Sequence, residues 1–280
     1  MPTTEPLTTV EALAKRLDDP RLRIADVRWY LNQPGRGREE FDAGHIPGAA
    51  FVDLDSDLSA PSGPGRHPLP DRETFAGTLG ALGFGDDHHI VAYDDSGGAV
   101  AARLWWMLRW IGHEACSVLD GGLAAWRSAG LNLEMGASTH PRVTLSVGES
   151  LTHTIDRDAL AGALDDFTII DARARERFRG DTEPVDAKAG HIPSARNIPY
   201  AENLAADGRF LPSTLLSARY RAEGVGRDTV VYCGSGVNAC HAALAMTVAG
   251  LDEPTLYPGS WSDWSSTDLP IETGDAALDS

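Results

Sequence analysis

The chain has 280 residues and a hydrophobic fraction of 42%, enough for two cores of ordinary size. Its 41 acidic residues against 24 basic ones give a net charge of -17, which argues against a nucleic-acid or anionic-membrane surface but allows a locally positive site. The three cysteines, at 116, 233 and 240, follow no repeated spacing, and the polar start from Met1 to Glu11 does not read as a signal peptide. We therefore expect reduced thiols in a cytoplasmic protein, with no membrane span and no disulfide framework.

In chain order, Thr9 to Leu17 reads as a helix closed by Asp18-Asp19-Pro20, and Leu22 to Val27 as a strand. Asn32 to Arg38 reads as a polar, glycine-rich excursion and Phe51 to Leu54 as a short strand. Ser59 to Pro70 is dense in Gly and Pro and reads as a surface loop. Arg72 to Leu82 is a predicted helix and His89 to Tyr93 a strand. Ala101 to Trp110 is an apolar helix whose tryptophans suit a core better than a ligand platform. Ala115 to Leu119 is the next strand, followed by Asp120-Gly121-Gly122 and a short helix through Trp126. Asn132 to Thr154 is polar and has the composition of a linker.

The plan then begins again. Ile169-Ile170-Asp171-Ala172-Arg173 repeats Ile24-Ala25-Asp26-Val27-Arg28, and Ala189-Gly190-His191-Ile192-Pro193 repeats Ala43-Gly44-His45-Ile46-Pro47. Val230-Val231-Tyr232-Cys233 repeats Val91-Ala92-Tyr93-Asp94, and Gly259 with Trp264 mirrors Gly121-Gly122 with Trp126. Four ordered landmarks at nearly constant separation imply two copies of one α/β domain. Each copy alternates short strands with helices, so each is expected to hold a mostly parallel sheet with helices on both faces. The boundaries we expect are 1–131 for the first domain, 132–154 for the linker and 155–280 for the second. Only the second copy has a thiol at the repeat position; the first has Asp94.

That thiol, Cys233, ends an apolar strand and is followed by Gly234-Ser235-Gly236-Val237-Asn238 and an Ala-rich helix, Ala239 to Val248. A tight loop of small residues leading into a helix turns backbone N–H groups toward one point, which favours a thiolate and the anion it attacks. A structural cysteine at the end of a core strand is the plain alternative, which the glycines argue against. A cysteine phosphatase would close such a loop with arginine, and position 239 is alanine. Cys240 and Cys116 read as core residues and His191 as structural. The pairs His88-His89 and Cys240-His241 form no zinc-like cluster, so neither a metal nor a cofactor is expected.

The two Gly-His-Ile-Pro boxes, the Asp-Gly-Gly-Leu box with its tryptophan, and Cys-Gly-Ser-Gly-Val together resemble the two-domain rhodanese family of sulfurtransferases over nearly the whole chain. The loop is similar to that of the 3-mercaptopyruvate branch; thiosulfate enzymes typically place Arg and Lys where Gly234 and Ser235 stand. The resemblance implies a Cys233 persulfide that takes sulfur from a small anionic donor. A thiol such as thioredoxin or glutathione, or cyanide, would then accept it. It further implies that Arg177 binds the donor carboxylate and that Ser235 relays protons with His45 of the first domain, the acidic partner being left open between Glu40 and Asp42. Arg179 and Lys188 are further donor-binding candidates, Arg179 being weighed against a solvated charge. The second arginine that many relatives carry after Glu-Pro is missing, since Val185 and Asp186 follow Pro184, and Asn238 replaces a threonine. Two other readings are weighed: thiosulfate:cyanide sulfurtransfer by the same nucleophile, and a non-catalytic carrier or partner-binding role.

Overall fold

The computed structural model describes residues 4–275. They group into two compact units, one made of residues 4–60, 70–151 and 205–210, the other of 61–69, 152–204 and 211–275. The second unit thus takes in a short stretch, 61–69, from the first half of the sequence.

In the first unit, β1 (Leu7–Thr8), β2 (Leu22–Asp26), β3 (Ala49–Phe51), β4 (His89–Tyr93) and β5 (Cys116–Leu119) form one sheet in the order β1-β5-β4-β2-β3. All neighbours run parallel, and the register sets Asp26 beside Tyr93 and Phe51. The central strands are mostly apolar, through Ile24-Ala25 in β2 and Ile90-Val91-Ala92 in β4, because a parallel sheet is covered on both faces. Helix Ala101–Trp110 is buried from Ala101 to Leu108, which accounts for Trp105 and Trp106 as core residues.

Three local expectations shift. A helix, Arg36–Ala43, begins inside the polar stretch read as an excursion, entered through Gly35 at φ 81°. The strand expected over Phe51 to Leu54 lies earlier and stops at Phe51, because the Asp53 carboxylate accepts the N–H groups of Asp55 (2.8 Å) and Ser56 (3.0 Å) and turns the chain. Most of the stretch with a linker's composition packs onto the first unit. Val143 N–H donates to Gly80 C=O (3.0 Å), Gly148 N–H to Ile111 C=O (2.7 Å), and Ser146 bonds Asp86 through its N–H and hydroxyl.

The second unit holds β6 (Thr168–Asp171), β7 (Arg196–Asn197), β8 (Thr229–Tyr232) and β9 (Thr255–Leu256), parallel and in the order β7-β6-β8-β9. The expected duplication is explained by a buried network present in both units. Arg28 binds Asp26 (2.7 Å) and the Gly44 carbonyl (2.9 Å), as Arg173 binds Asp171 (2.6 Å) and the Gly190 carbonyl (2.6 Å). The hydroxyls of Tyr93 and Tyr232 accept the Ile46 and Ile192 N–H groups at 3.0 and 3.1 Å. An ion pair this deep survives only with every remaining donor and acceptor engaged, so the Asp, Arg, Tyr and Gly-His-Ile residues recur as a set. Among the described residues, no helix is long and apolar enough to cross a membrane.

Candidate active site

Cys233 follows the last residue of β8 and is 2% exposed. Its N–H donates to Ser260 Oγ (3.1 Å), its carbonyl accepts from Trp261 N–H (2.9 Å), and the Gly234 carbonyl accepts from Ser262 N–H (2.9 Å). The start of helix Ser260–Trp264 thereby fixes the first two loop residues. Gly236, at φ 78°, caps helix Val237–Val248, and a Cβ there would meet the Pro258 carbonyl oxygen at 2.5 Å, so only glycine fits. The cap offers no side-chain hydrogen bond, and the first-turn N–H groups of any helix lack intrahelical acceptors. The loop can therefore serve an anion bound on the sulfur of Cys233.

The stretch 61–69, read as a surface loop, supplies two residues that sequence reasoning missed. His67 Nδ1 lies 2.8 Å from Ser235 Oγ, and both residues are nearly buried. Arg66 places a guanidinium nitrogen 3.0 Å from where a Cβ on Gly234 would stand, and Arg177 approaches the same point at 3.3 Å. Gly234 and Ser235 carry no charge, but two guanidinium groups converge on Gly234 from elsewhere in the unit: that of Arg177, which the resemblance implied, and that of Arg66, which it did not. Carboxylates hold both arginines. Arg177 bonds Glu183 (2.7 Å) and Asp186 (3.2 Å), and Arg66 pairs with Asp186. Burial alone would raise the Glu183 carboxyl, but its bonds to Arg177 and to the Asp186 and Val185 N–H groups outweigh that and hold it below its ordinary value. At Asp186 burial prevails over the pull of Arg66, and the carboxyl lies above its ordinary value.

The other candidates fall elsewhere. His45 was expected beside Ser235, and that place is taken by His67. The His45 ring stacks on Phe41 (centroids 3.9 Å apart), its Nδ1 lies 2.8 Å from the Phe41 carbonyl, and its backbone bridges to Glu134. His191 repeats every feature, stacked on Phe178 at 3.7 Å, 2.8 Å from its carbonyl and bridged to Glu272. A residue built identically into both copies serves the fold. Arg179 is half-buried and pairs with Asp181 (3.0 Å) and Asp275 (2.9 Å), while Lys188 bonds the Thr267 carbonyl near Asp268. Neither accompanies Arg66 and Arg177 at Gly234, because acidic or carbonyl partners close in sequence or space hold their cationic ends. Cys240 is buried with Sγ 3.2 Å from the Gly236 carbonyl, and Cys116 is buried against the carbonyls of Trp105 and His113.

Two α/β units, each with a parallel sheet and one with a cysteine at the head of a glycine loop, are the architecture of a cysteine-dependent group-transfer enzyme. The chain belongs to the family of the rhodanese-like domain, whose pattern matches residues 9–129 and again 156–267. It is 45% identical over 279 residues to a protein of Pseudomonas aeruginosa named a probable 3-mercaptopyruvate sulfurtransferase, covering 96% of this chain and 98% of that one. A Mycobacterium tuberculosis protein that carries a thiosulfate sulfurtransferase name is 43% identical over 270 residues, covering 92% and 93%. Among solved structures, the 3-mercaptopyruvate sulfotransferase SseA of Escherichia coli superposes with a TM-score of 0.82 at 36% identity, covering 92% of this chain and all of the other. The protein is accordingly a sulfurtransferase that moves sulfane sulfur by way of a catalytic cysteine. The names of these relatives divide between two donors, so the donor has to be argued from the site.

Proposed function

We propose that the chain is a 3-mercaptopyruvate sulfurtransferase that works through a persulfide on Cys233. The Cys233 thiolate attacks the donor sulfur; the S–S bond forms as the C–S bond breaks, and its electron pair passes to carbon as the enolate of pyruvate. One proton leaves the donor thiol and one must reach the enolate carbon, which gives Ser235 and His67 a task as a relay. Arg177 binds the donor carboxylate. An acceptor thiol, such as reduced thioredoxin or glutathione, or cyanide, then attacks the outer sulfur and releases Cys233. Free thiols at Cys116, Cys233 and Cys240 fit a reducing compartment, and the cytoplasm is the location we favour.

The observation that carries the choice of donor is the 2.8 Å contact of His67 with Ser235. Thiosulfate passes its outer sulfur to the thiolate and the remainder leaves as sulfite with the electron pair of the broken S–S bond, with no proton transfer at carbon, so a hydroxyl–imidazole relay is of use to mercaptopyruvate alone. The thiosulfate reading has one observation in its favour, the pair of guanidinium groups at Gly234, which would suit a sulfonate. Steady-state kinetics with both donors at one ionic strength decides between them. We expect kcat/KM for 3-mercaptopyruvate to exceed that for thiosulfate at least about tenfold, a difference of roughly 1.4 kcal/mol. A wild-type preference for thiosulfate would promote the second reading. Turnover limited to one equivalent would favour the carrier role.

A second expectation separates the two histidines. His67→Ala should lower kcat/KM for 3-mercaptopyruvate by about 10²-fold or more while affecting thiosulfate far less. His45→Ala should chiefly lower the melting temperature, because it removes a buried stacked ring. Equal losses with both donors in His67→Ala would leave the relay without support.

A further inference from the structure

We infer that Arg66 is a second donor-binding cation of the Cys233 site and that Asp186 holds it back, so that this ion pair sets the affinity for anionic donors. The inference rests on the proposed sulfur-donor reading and deepens it. The chain lacks a basic residue directly after Glu183-Pro184: Val185 is exposed, Asp186 carries the opposite charge, and Lys188 is turned to Thr267 and Asp268. The position beside the loop is nonetheless occupied by a cation, because Arg66 and Arg177 are the groups that a side chain at residue 234 would meet first. Gly234 therefore leaves a space bounded by two guanidinium groups next to the candidate nucleophile. Such a space suits a carboxylate or sulfonate and no neutral or cationic group.

Arg66 has little to do as a brace. Its own segment is anchored without the guanidinium, through the Arg66 N–H to Ser262 Oγ (3.0 Å), through His67 to Ser235, and through the close approach of Gly65 to Gly259. Its side chain stays 31% exposed, whereas Asp186 is 7% exposed and shared by both arginines. Glu183 and Asp186 together balance the two positive charges before any donor arrives. Asp186 holds Arg66 Nη1 and Arg177 Nη2, while Arg66 Nη2 and Arg177 Nη1 stand nearest the Gly234 space, so its negative charge opposes an incoming anion there without occupying those two nitrogens. Removing the Asp186 charge should thus ease binding, and removing Arg66 should hinder it.

This opposition of signs is the test. The readouts are kcat and KM for 3-mercaptopyruvate and the donor concentration at which a persulfide adduct of ~32 Da half-loads Cys233. Arg66→Ala should raise KM and the half-loading concentration about tenfold, the worth of one charge-assisted contact, with kcat within about threefold of wild type. Arg66→Lys should recover part of the loss, and Asp186→Asn should lower KM. Arg66→Gln, which keeps length without charge, serves if the alanine variant does not fold. An unchanged KM in Arg66→Ala and Arg66→Gln overturns the inference. So does an Asp186→Asn variant whose KM rises as far as that of Arg66→Ala, since a mere brace fails equally from either end. In both cases the wild type still turns over mercaptopyruvate; a wild type that neither loads sulfur on Cys233 nor turns over would instead overturn the underlying reading.

Discussion

Replacing Cys233 by serine is expected to abolish sulfur transfer from every donor, with a loss of at least about 10⁴-fold in kcat and no donor-dependent gain of ~32 Da in intact mass. The effect should be large with little cost in stability, because serine is slightly smaller and its backbone bonds, N–H to Ser260 Oγ and carbonyl to Trp261, survive. A hydroxyl is far less nucleophilic toward sulfur and cannot hold a persulfide. Cys240→Ser is the control. Its sulfur is buried seven residues further on, against the Gly236 carbonyl, and that variant should keep both the adduct and turnover. If the Cys233 variant loads sulfur and Cys240→Ser does not, the nucleophile has been misassigned.

Cys233 and its loop could be singled out from the chain because they are local: strand, small-residue turn and helix are contiguous, whereas Arg177, on a short helix of the same copy, entered only through the family resemblance. The duplication was legible for a related reason. The Asp-Arg-Tyr network and the Gly-His-Ile-Pro turn are needed wherever this sheet is built, so they recur in order. Arg66 and His67 could not be read in this way. They reach the site from a Gly- and Pro-rich stretch 168 residues before Ser235, a placement that depends on the packing of the whole unit. One signal was available. Chemistry confined to one copy needs residues without a twin, and His67, unlike His45 with its counterpart His191, has none. The same reasoning explains the misjudged linker, since polar composition reports contact with water on one side only. It says nothing of the backbone bonds that tie Val143 and Gly148 to the first unit.

The other large effect is expected at Asp94, where the first unit carries the repeat position of Cys233. The equivalence holds in detail: each residue follows its central strand, and each carbonyl accepts an N–H from the helix beyond the last strand pair, Leu123 for Asp94 and Trp261 for Cys233, both at 2.9 Å. The fully buried Asp94 carboxylate, however, fills its own loop. One oxygen accepts the N–H groups of Ser96 (2.9 Å) and Gly98 (2.8 Å), the other those of Val100 (2.8 Å) and Ala101 (2.9 Å). Asp94→Ala strands these donors, three of them buried, and at about 1 kcal/mol or more for each should destabilise the protein by roughly 3 kcal/mol. Asp94→Asn should fare little better, because its amide NH₂ would face N–H groups that need an acceptor. Asp94→Cys should not create a second sulfur site. One sulfur cannot replace two oxygens, and Asp95, bonded to the Tyr30 hydroxyl at 2.5 Å, puts a carboxylate where the second unit has Gly234 with two arginines around it. Thermal melts of the three variants, with intact-mass spectra of Asp94→Cys in a Cys233→Ser background after donor treatment, provide the measurements. An Asp94→Ala protein that melts with wild type, or a sulfur adduct on residue 94, would mean that the first loop is an open anion site rather than one closed by its own side chain.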